Sequence, residues 1–383
     1  MSLGSAVALA TERVVKPVEG MHRAISGRWF GAIGPVGEPV RLAHDAISSV
    51  VYTSIRIGGT ALGIGLDMGM TVNQRSADSI QAFVNGLWGD ELGRHEESVG
   101  ISMGIRDQQG APVRIGPELA AAFPEATGRL VVLVHGLVET ERSWNGKDTG
   151  SGLSQAIDIH PALTPVSIRY NTGLRVSANG SELASLLDEA HRHWPVPVES
   201  IALVGHSMGG LVVRSAITAA SEAGQHWVNQ IDDVVTLGSP HRGTPLEKLV
   251  NVASWGLSKT PETRPLADFL NTRSVGIKDL RFGAIVDDDW VGVDPDALLD
   301  NAVGDHSLPP DVNTHFVAGV VTSDPAHPIG LIAGDLWVRT ASGTGGESLE
   351  PTNVVVLGGI NHFDLCHDPT VIDHVMGWLA SDR

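Results

Sequence analysis

Cysteine occurs once, at position 366, in 383 residues. A lone thiol excludes an intrachain disulfide and a cysteine-based zinc site, and with them the disulfide-stapled secreted scaffolds. Basic residues are also few: Lys and Arg number 26 against 44 Asp and Glu, a formal net charge of −18. A surface of that sign repels phosphate backbones, so no nucleic-acid partner is expected and a small or neutral substrate is. Long apolar runs are missing too. The most apolar window, Ala46 to Met70, is broken by Arg56 and five glycines, short of the near-uniform run that a spanning helix needs. The opening MSLGSAVALATER has no basic stretch and reaches Glu12 and Arg13 early. Neither a cleaved signal peptide nor a transmembrane helix is expected, and a cytoplasmic location is the default expectation.

What remains is a globular composition, with 42% hydrophobic and 18% charged residues and 45 glycines, too apolar for disorder and without the period of collagen or coiled coil. The length allows one large domain with insertions or two domains. No fixed-period repeat or low-complexity tract appears.

The texture of the chain changes along its length. Ile47, Val51, Ile55, Leu62 and Leu66 recur at helical spacing, as do Ile80, Phe83, Val84 and Leu87, so residues 1–95 are expected to form an N-terminal helical region. From Val99 the pattern ISMGIRD, QQGAP, VRIG suggests a hairpin, and the boundary is placed there. Short β-branched runs follow at Arg129–Val134, Val166–Tyr170, Ile201–Val204, Val234–Leu237, Phe316–Val321 and Val354–Leu357. Helical stretches such as Gly180–His193 and Met208–Ala223 alternate with them. Strands alternating with helices imply an α/β fold with a mostly parallel sheet. Residues 96–245 and 313–383 would form its two parts. Between them, residues 246–312 are too long for a plain connection, and SWGLSK, ETRPLADFL and DPDALLDNA are expected as short helices of a cap.

The most informative stretch is IALVGHSMGGLVVRSA, an apolar run, then Gly205-His206-Ser207-Met208-Gly209, then a helical pattern. A serine nucleophile needs a tight strand-to-helix turn that pushes its hydroxyl into open space. A side chain at Gly205 or Gly209 would collide with the neighbouring strand or helix. The same turn sets the Met208 amide at the positive end of a helix, where a tetrahedral oxyanion would form. The run RLVVLVHGL, from Arg129 to Leu137, precedes it as the second oxyanion-donor loop. Leu137 is the candidate amide there, with Gly136 bending the backbone toward substrate and His135 beside it.

A base and an acid should follow in the order Ser, Asp or Glu, His. Near the C-terminus the strand Asn353–Leu357 leads into Gly358-Gly359-Ile360-Asn361-His362-Phe363, which makes His362 the candidate base. His367 and His374 fall in or near a terminal helix. For the acid, Asp335 in IAGDLWVRTASG is preferred to Asp324 in TSDPAHP. His206, Trp144, Trp255, Trp290 and Trp337 are candidates for lining the substrate site, large aromatics being common both in acyl pockets and in cores.

VHGL, RYNTG, GHSMGG, GSPHRGTP, GIKDLR, GDLWV and GGINHFDL together make the chain resemble α/β-hydrolase esterases and lipases, especially the GPI inositol-deacylase-like group, over roughly Val99 to Arg383. The resemblance implies an α/β-hydrolase fold, an acid in a Gly-Asp-x-x-Val context at Asp335 and a base in an Asn-His-Phe-Asp context at His362. Leu336-Trp337 replaces the common Gly-Leu, and Cys366 interrupts an aliphatic HFDLL pattern. Trp337 is expected to narrow the site.

Other motifs have plainer explanations. Cys366 reads as a buried inert thiol rather than half of a Cys/His dyad. Asp287-Asp288-Asp289 lacks the glycine and closing glutamate of a calcium loop, and His191 and His193 read as exposed helix-end residues. Ala46–Met70 is either a helix packed on the core or a membrane-surface anchor. Packing is preferred, because sparse Lys and Arg weaken attraction to anionic lipid, while peripheral membrane contact through the N-terminal helices stays open.

The sequence thus leads to a serine carboxylic-ester hydrolase that works through an acyl-enzyme on Ser207, needs no metal or cofactor and takes a small-molecule or lipid ester. An acyltransferase or thioesterase would use the same triad, and an added alcohol or a CoA thioester would compete with ester hydrolysis if so. A non-catalytic binding protein on the same fold would resist fluorophosphonate labelling. Oligomeric state is not legible.

Overall fold

The structure is a computed structural model that describes residues 2–33, 38–68, 74–95, 101–146, 152–244, 274–291, 306–345 and 349–381. Its centre is an eight-stranded sheet: β1 (Gly104–Arg106), β2 (Pro112–Val113), β3 (Arg129–Val134), β4 (Thr164–Arg169), β5 (Ser200–His206), β6 (Ile231–Leu237), β7 (Asn313–Val320) and β8 (Asn353–Gly358). The spatial order is β2-β1-β4-β3-β5-β6-β7-β8. From β4 to β8 every neighbouring pair is parallel, and at one edge β1 pairs antiparallel with both β2 and β4. The expected strands are all present, each reaching within a few residues of the apolar run that signalled it.

Parallel strands covered on both faces need apolar residues at both parities. Along β3, Leu130, Val132 and Val134 enter one core layer with Leu183, Leu187, Leu211 and Val212. Val131 and Leu133 point the other way, onto Leu153, Ile157, Val371 and Val375. The first layer lies under α6 (Val176–His193) and α7 (Met208–Glu222), and the second under α5 (Leu153–Asp158) and the C-terminal helix Pro369–Leu379. At the hairpin the Asp107 carboxylate accepts from the amides of Gln109 and Ala111 at 2.9 and 2.8 Å, a side-chain turn that closes the sheet edge.

The described residues before His95 are helical as expected, in α1 (Leu3–Ile33), α2 (Glu38–Asp67) and α3 (Gln74–His95). The glycines of the Ala46–Met70 window have a packing use. A Cβ on Gly63 would stand 2.5 Å from the Gly4 carbonyl oxygen, and one on Gly59 would stand 2.5 Å from the Thr11 side chain, so α1 and α2 touch backbone to backbone. None of the described helices is long and apolar enough to cross a membrane.

Helix α3 reaches across the boundary placed near Val99 and seats on the sheet. Asp78 on α3 faces the Arg169 guanidinium of β4, with Nη1 and Nη2 at 3.2 and 3.1 Å from its two oxygens. Arg169 also donates from Nε and Nη2 to Glu141, both at 2.6 Å. A Cβ on Gly86 would meet Val138 at 2.5 Å, and one on Gly89 would meet Asn171 at 2.1 Å. Of the expected cap, residues 274–291 and 306–312 are described, and Ser274 Oγ donates to the Gly86 carbonyl at 2.6 Å. SWGLSK, ETRPLADFL, DPDALLDNA and Trp255 lie outside the described residues.

Candidate active site

Three C-terminal strand ends supply the site. Strand β5 runs into α7 through Ser207, whose backbone is held at φ 52° and ψ −122°, a left-handed conformation rare for a residue with a Cβ. Its amide donates to the Leu237 carbonyl at the end of β6, 2.8 Å away. The glycines on either side leave no room for substitution: a Cβ on Gly205 would sit 2.4 Å from the Gly210 nitrogen, and one on Gly209 would sit 2.1 Å from the Val134 carbonyl oxygen. Helix packs on strand this closely only where both side chains are absent.

His362 follows β8 at the start of a short 3-10 turn, His362–Cys366, whose first amides are capped by the Asn361 side chain. Its Nε2 lies 2.8 Å from Ser207 Oγ. Its Nδ1 lies 2.7 Å from Asp335 Oδ2. Because a carboxylate only accepts, Nδ1 carries the proton and Nε2 is left to accept from the serine hydroxyl. Asp335 is itself oriented, its Oδ1 accepting from the amides of Trp337 at 3.0 Å and Val338 at 2.8 Å. All three side chains are buried. The competing Asp324 is exposed, and its carboxylate turns back to the Ala326 amide at 2.9 Å.

The β3 end forms a turn beside Ser207. A Cβ on Gly136 would stand 3.0 Å from Ser207 Cβ, so Gly136 leaves no room for a side chain against the serine. No described group accepts from the Leu137 or Met208 amide. The two therefore stand as unspent donors on either side of Ser207, at the turn and at the first position of α7.

Several residues expected to line the site are placed elsewhere. His135 is fully buried, stacked on Tyr170 at 4.5 Å, with Nδ1 against the Gly136 carbonyl at 2.9 Å; burial holds its imidazole below the ordinary value. His206, the last residue of β5, is fully buried with its ring 4.9 Å from that of His362. Trp144 is fully buried, edge-on to His206 at 6.4 Å. Trp290 packs on Phe282 and under the Arg175 guanidinium. In each case the ring's area is used in packing, and for His135, His206 and Trp144 none is left to touch a ligand. Among the described candidates Trp337 stands at the rim, its ring parallel to His362 at 6.0 Å and edge-on to Phe363 at 5.4 Å.

Phe363, Leu336, Gly238 and Glu139 were not legible as site residues. Leu336 is held at φ 81° with its side chain exposed, and Phe363 is half exposed. Gly238, at φ 59°, lies where a Cβ would meet Asp335 Oδ2 at 3.0 Å and His362 Nδ1 at 3.2 Å. Among the described residues no cluster of His, Cys, Asp or Glu is arranged to hold a metal. Asp289 caps the Ile285 and Val286 amides instead and pairs with His306 at 2.8 Å. Cys366 is buried, and burial pushes its thiol up.

A family profile described as a PGAP1-like alpha/beta domain matches residues 182–302. A triacylglycerol lipase of Burkholderia plantarii is 26% identical over 165 residues, which cover 41% of this chain and 44% of the lipase. A second triacylglycerol lipase, from Pseudarthrobacter phenanthrenivorans, is 26% identical over 141 residues, 35% of this chain and 41% of its own. The chain matches less than half the length of these curated relatives. The crystal structure of the mature Bacillus licheniformis lipase BlEst2 aligns with 70% of this chain and 96% of its own, at 19% identity and a TM-score of 0.44.

Proposed function

We propose that this chain, with its α/β-hydrolase fold, is a serine carboxylic-ester hydrolase of the lipase and esterase kind that acts on lipid esters. The carrying observation is the unbroken relay from Ser207 Oγ through His362 to Asp335, with contacts of 2.8 and 2.7 Å. In this reading Ser207 attacks the ester carbonyl while His362 Nε2 takes its proton. Asp335 keeps Nδ1 protonated and stabilises the imidazolium that forms. The oxyanion of the tetrahedral intermediate accepts from the Leu137 and Met208 amides, the latter backed by the dipole of α7. Collapse expels the alcohol, which leaves with the proton from His362. Water, deprotonated by the same imidazole, then releases the acid and restores Ser207. No step calls on a cofactor.

The lipid-ester preference is supported by the triacylglycerol lipase relatives and by the apolar rim beside His362, where Leu336, Trp337 and Phe363 are 64%, 38% and 41% exposed. Such side chains favour an acyl chain over a polar group. The test is hydrolysis of p-nitrophenyl esters from acetyl to palmitoyl by wild type and Ser207→Ala side by side. Expected are an optimum at medium or long chains and loss of activity in the variant. A wild type inactive on every ester, or a variant equal to it, would overturn the reading, and a strict preference for acetyl would overturn the lipid assignment.

A further inference from the structure

Two oxygen atoms face the ring nitrogens of His206, and neither can donate a proton to it. Its Nδ1 lies 2.9 Å from Glu139 Oε2, and its Nε2 lies 3.0 Å from the backbone carbonyl oxygen of His362. A carboxylate and a carbonyl both only accept. A neutral imidazole carries a single N–H, so one of these contacts would set lone pair against lone pair in a fully buried place. Only the imidazolium satisfies both. The other buried pair of the sheet makes the contrast. His315 Nε2 donates to Asp233 at 2.9 Å, while its Nδ1 is met by the Asn353 side-chain amide at 3.0 Å, an arrangement that a neutral ring satisfies.

Glu139 supplies the counter-charge. The same Oε2 accepts the Gly136 amide at 2.8 Å, and the turn that returns Glu139 beneath Gly136 includes Val138 at φ 57°, strained for a β-branched residue. Although burial raises it, the Glu139 carboxyl is held down to about 2 by His206 and the Gly136 amide. Cys366, which also hydrogen-bonds His206, has its thiol pushed up by burial, and an S–H beside the ring leaves the Nε2 contact with the His362 carbonyl oxygen at 3.0 Å still in need of an N–H. The carboxylate–imidazolium pair thus touches all three parts of the site: the Gly136-Leu137 turn, the strand that delivers Ser207, and the backbone of His362.

Resting on the ester-hydrolase reading, we infer that Glu139 and His206 are positioning residues, a buried ion pair that fixes the oxyanion turn and the base to the nucleophile without touching substrate. Glu139→Gln keeps an acceptor for the Gly136 amide but removes the charge. His206 then loses a proton, and its Nε2 lone pair faces the His362 carbonyl. The base is released while the rim that binds substrate is untouched. Expected is a fall in kcat of about 10- to 100-fold with KM changed less than about threefold, the scale of a displacement near 1 Å. Asp233→Asn disrupts a comparably buried pair at the opposite end of β6 and is expected to lower stability with kcat intact.

The experiment measures kcat and KM of wild type, Ser207→Ala, Glu139→Gln and Asp233→Asn on one p-nitrophenyl ester. In parallel, nitrogen-15 histidine spectra of wild type are recorded at pH 8.5, with His206→Gln to assign the His206 resonances. An active wild type, a kcat loss confined to Glu139→Gln, and a doubly protonated His206 ring at pH 8.5 support the inference. Should Glu139→Gln not fold, the ring's protonation state in wild type decides: a neutral His206 overturns the pair. An active wild type with Glu139→Gln at undiminished kcat overturns the positioning role alone. A wild type that hydrolyses no ester takes the hydrolase reading down with it.

Discussion

Asp335→Asn separates charge from shape at the acid position, and the structure says which way the new amide must face. Oδ1 of Asp335 accepts two backbone amides, Trp337 at 3.0 Å and Val338 at 2.8 Å. In the asparagine variant the carbonyl oxygen keeps that place, because an NH2 there would meet two N–H donors. The NH2 group is thereby turned onto His362 Nδ1, 2.7 Å from the present Oδ2. A donor at that point requires Nδ1 to accept, so the ring's proton moves to Nε2, and a protonated Nε2 cannot take the proton of Ser207. A wrong tautomer of this kind costs about 10⁴ in kcat where it has been measured in a serine protease. Here about 10³ to 10⁴ is expected, or about 4 to 5.5 kcal/mol of barrier. Folding should suffer far less, by no more than about 2 kcal/mol, since the two backbone hydrogen bonds persist and the third only reverses its direction. Steady-state hydrolysis of a p-nitrophenyl ester, with urea unfolding alongside, checks both figures. A kcat within tenfold of wild type, or a His362 Nδ1 proton still visible by NMR in the variant, would refute the assignment of Asp335.

Two further expectations concern the frame. Asp78→Ala leaves the buried Arg169 guanidinium with Glu141 alone and removes one of the partners of Arg142, at 3.2 Å from its Nε, which should lower the unfolding free energy by about 3 kcal/mol; a urea midpoint equal to that of wild type would show that α3 is not clamped through this cluster. Burial, outweighing the Val176 amide and Arg175, pushes Asp279 from 3.8 up to about 7. A folded pKa above the unfolded one stabilises fully below the unfolded value and loses that stabilisation as pH rises through the folded value. Asp279→Asn should therefore gain stability relative to wild type as pH is raised from 4 to 7, by a few kcal/mol in order of magnitude. Parallel urea midpoints at pH 4.5 and 7 would refute this if the two proteins kept a constant difference.

Much of the site was legible because its chemistry is local. The glycines around Ser207 are demanded by contacts of the elbow with its own strand and helix, so they mark it in one dimension. The same holds for the loop after β8, where Asn361 caps the very turn that begins at His362. Asp335 was preferred over Asp324 only by order along the chain and by resemblance, and hydrogen bonds from Trp337 and Val338 are what orient it. His135, His206 and Trp144, expected at the site, are fully buried. For the two histidines, nearness in sequence to a candidate site residue does not show whether a side chain is exposed when the sheet is covered on both faces; for Trp144, a large ring serves a core as well as a pocket.

Glu139 left no mark in the sequence because its use depends on a turn at Val138 folding it beneath Gly136. The amino-acid pattern by itself determined the α/β class, the strands and the helical character of the described N-terminal residues, and marked Ser207 and His362 as candidates, since each follows from periodicity or steric need within a few neighbouring residues. Only the tertiary structure decided that α3 belongs against the sheet, which aromatic rings are spent on packing, and that His206 faces two acceptors. Those facts are set by contacts between segments distant in the chain, where burial turns one missing proton or one unpaired charge into several kcal/mol.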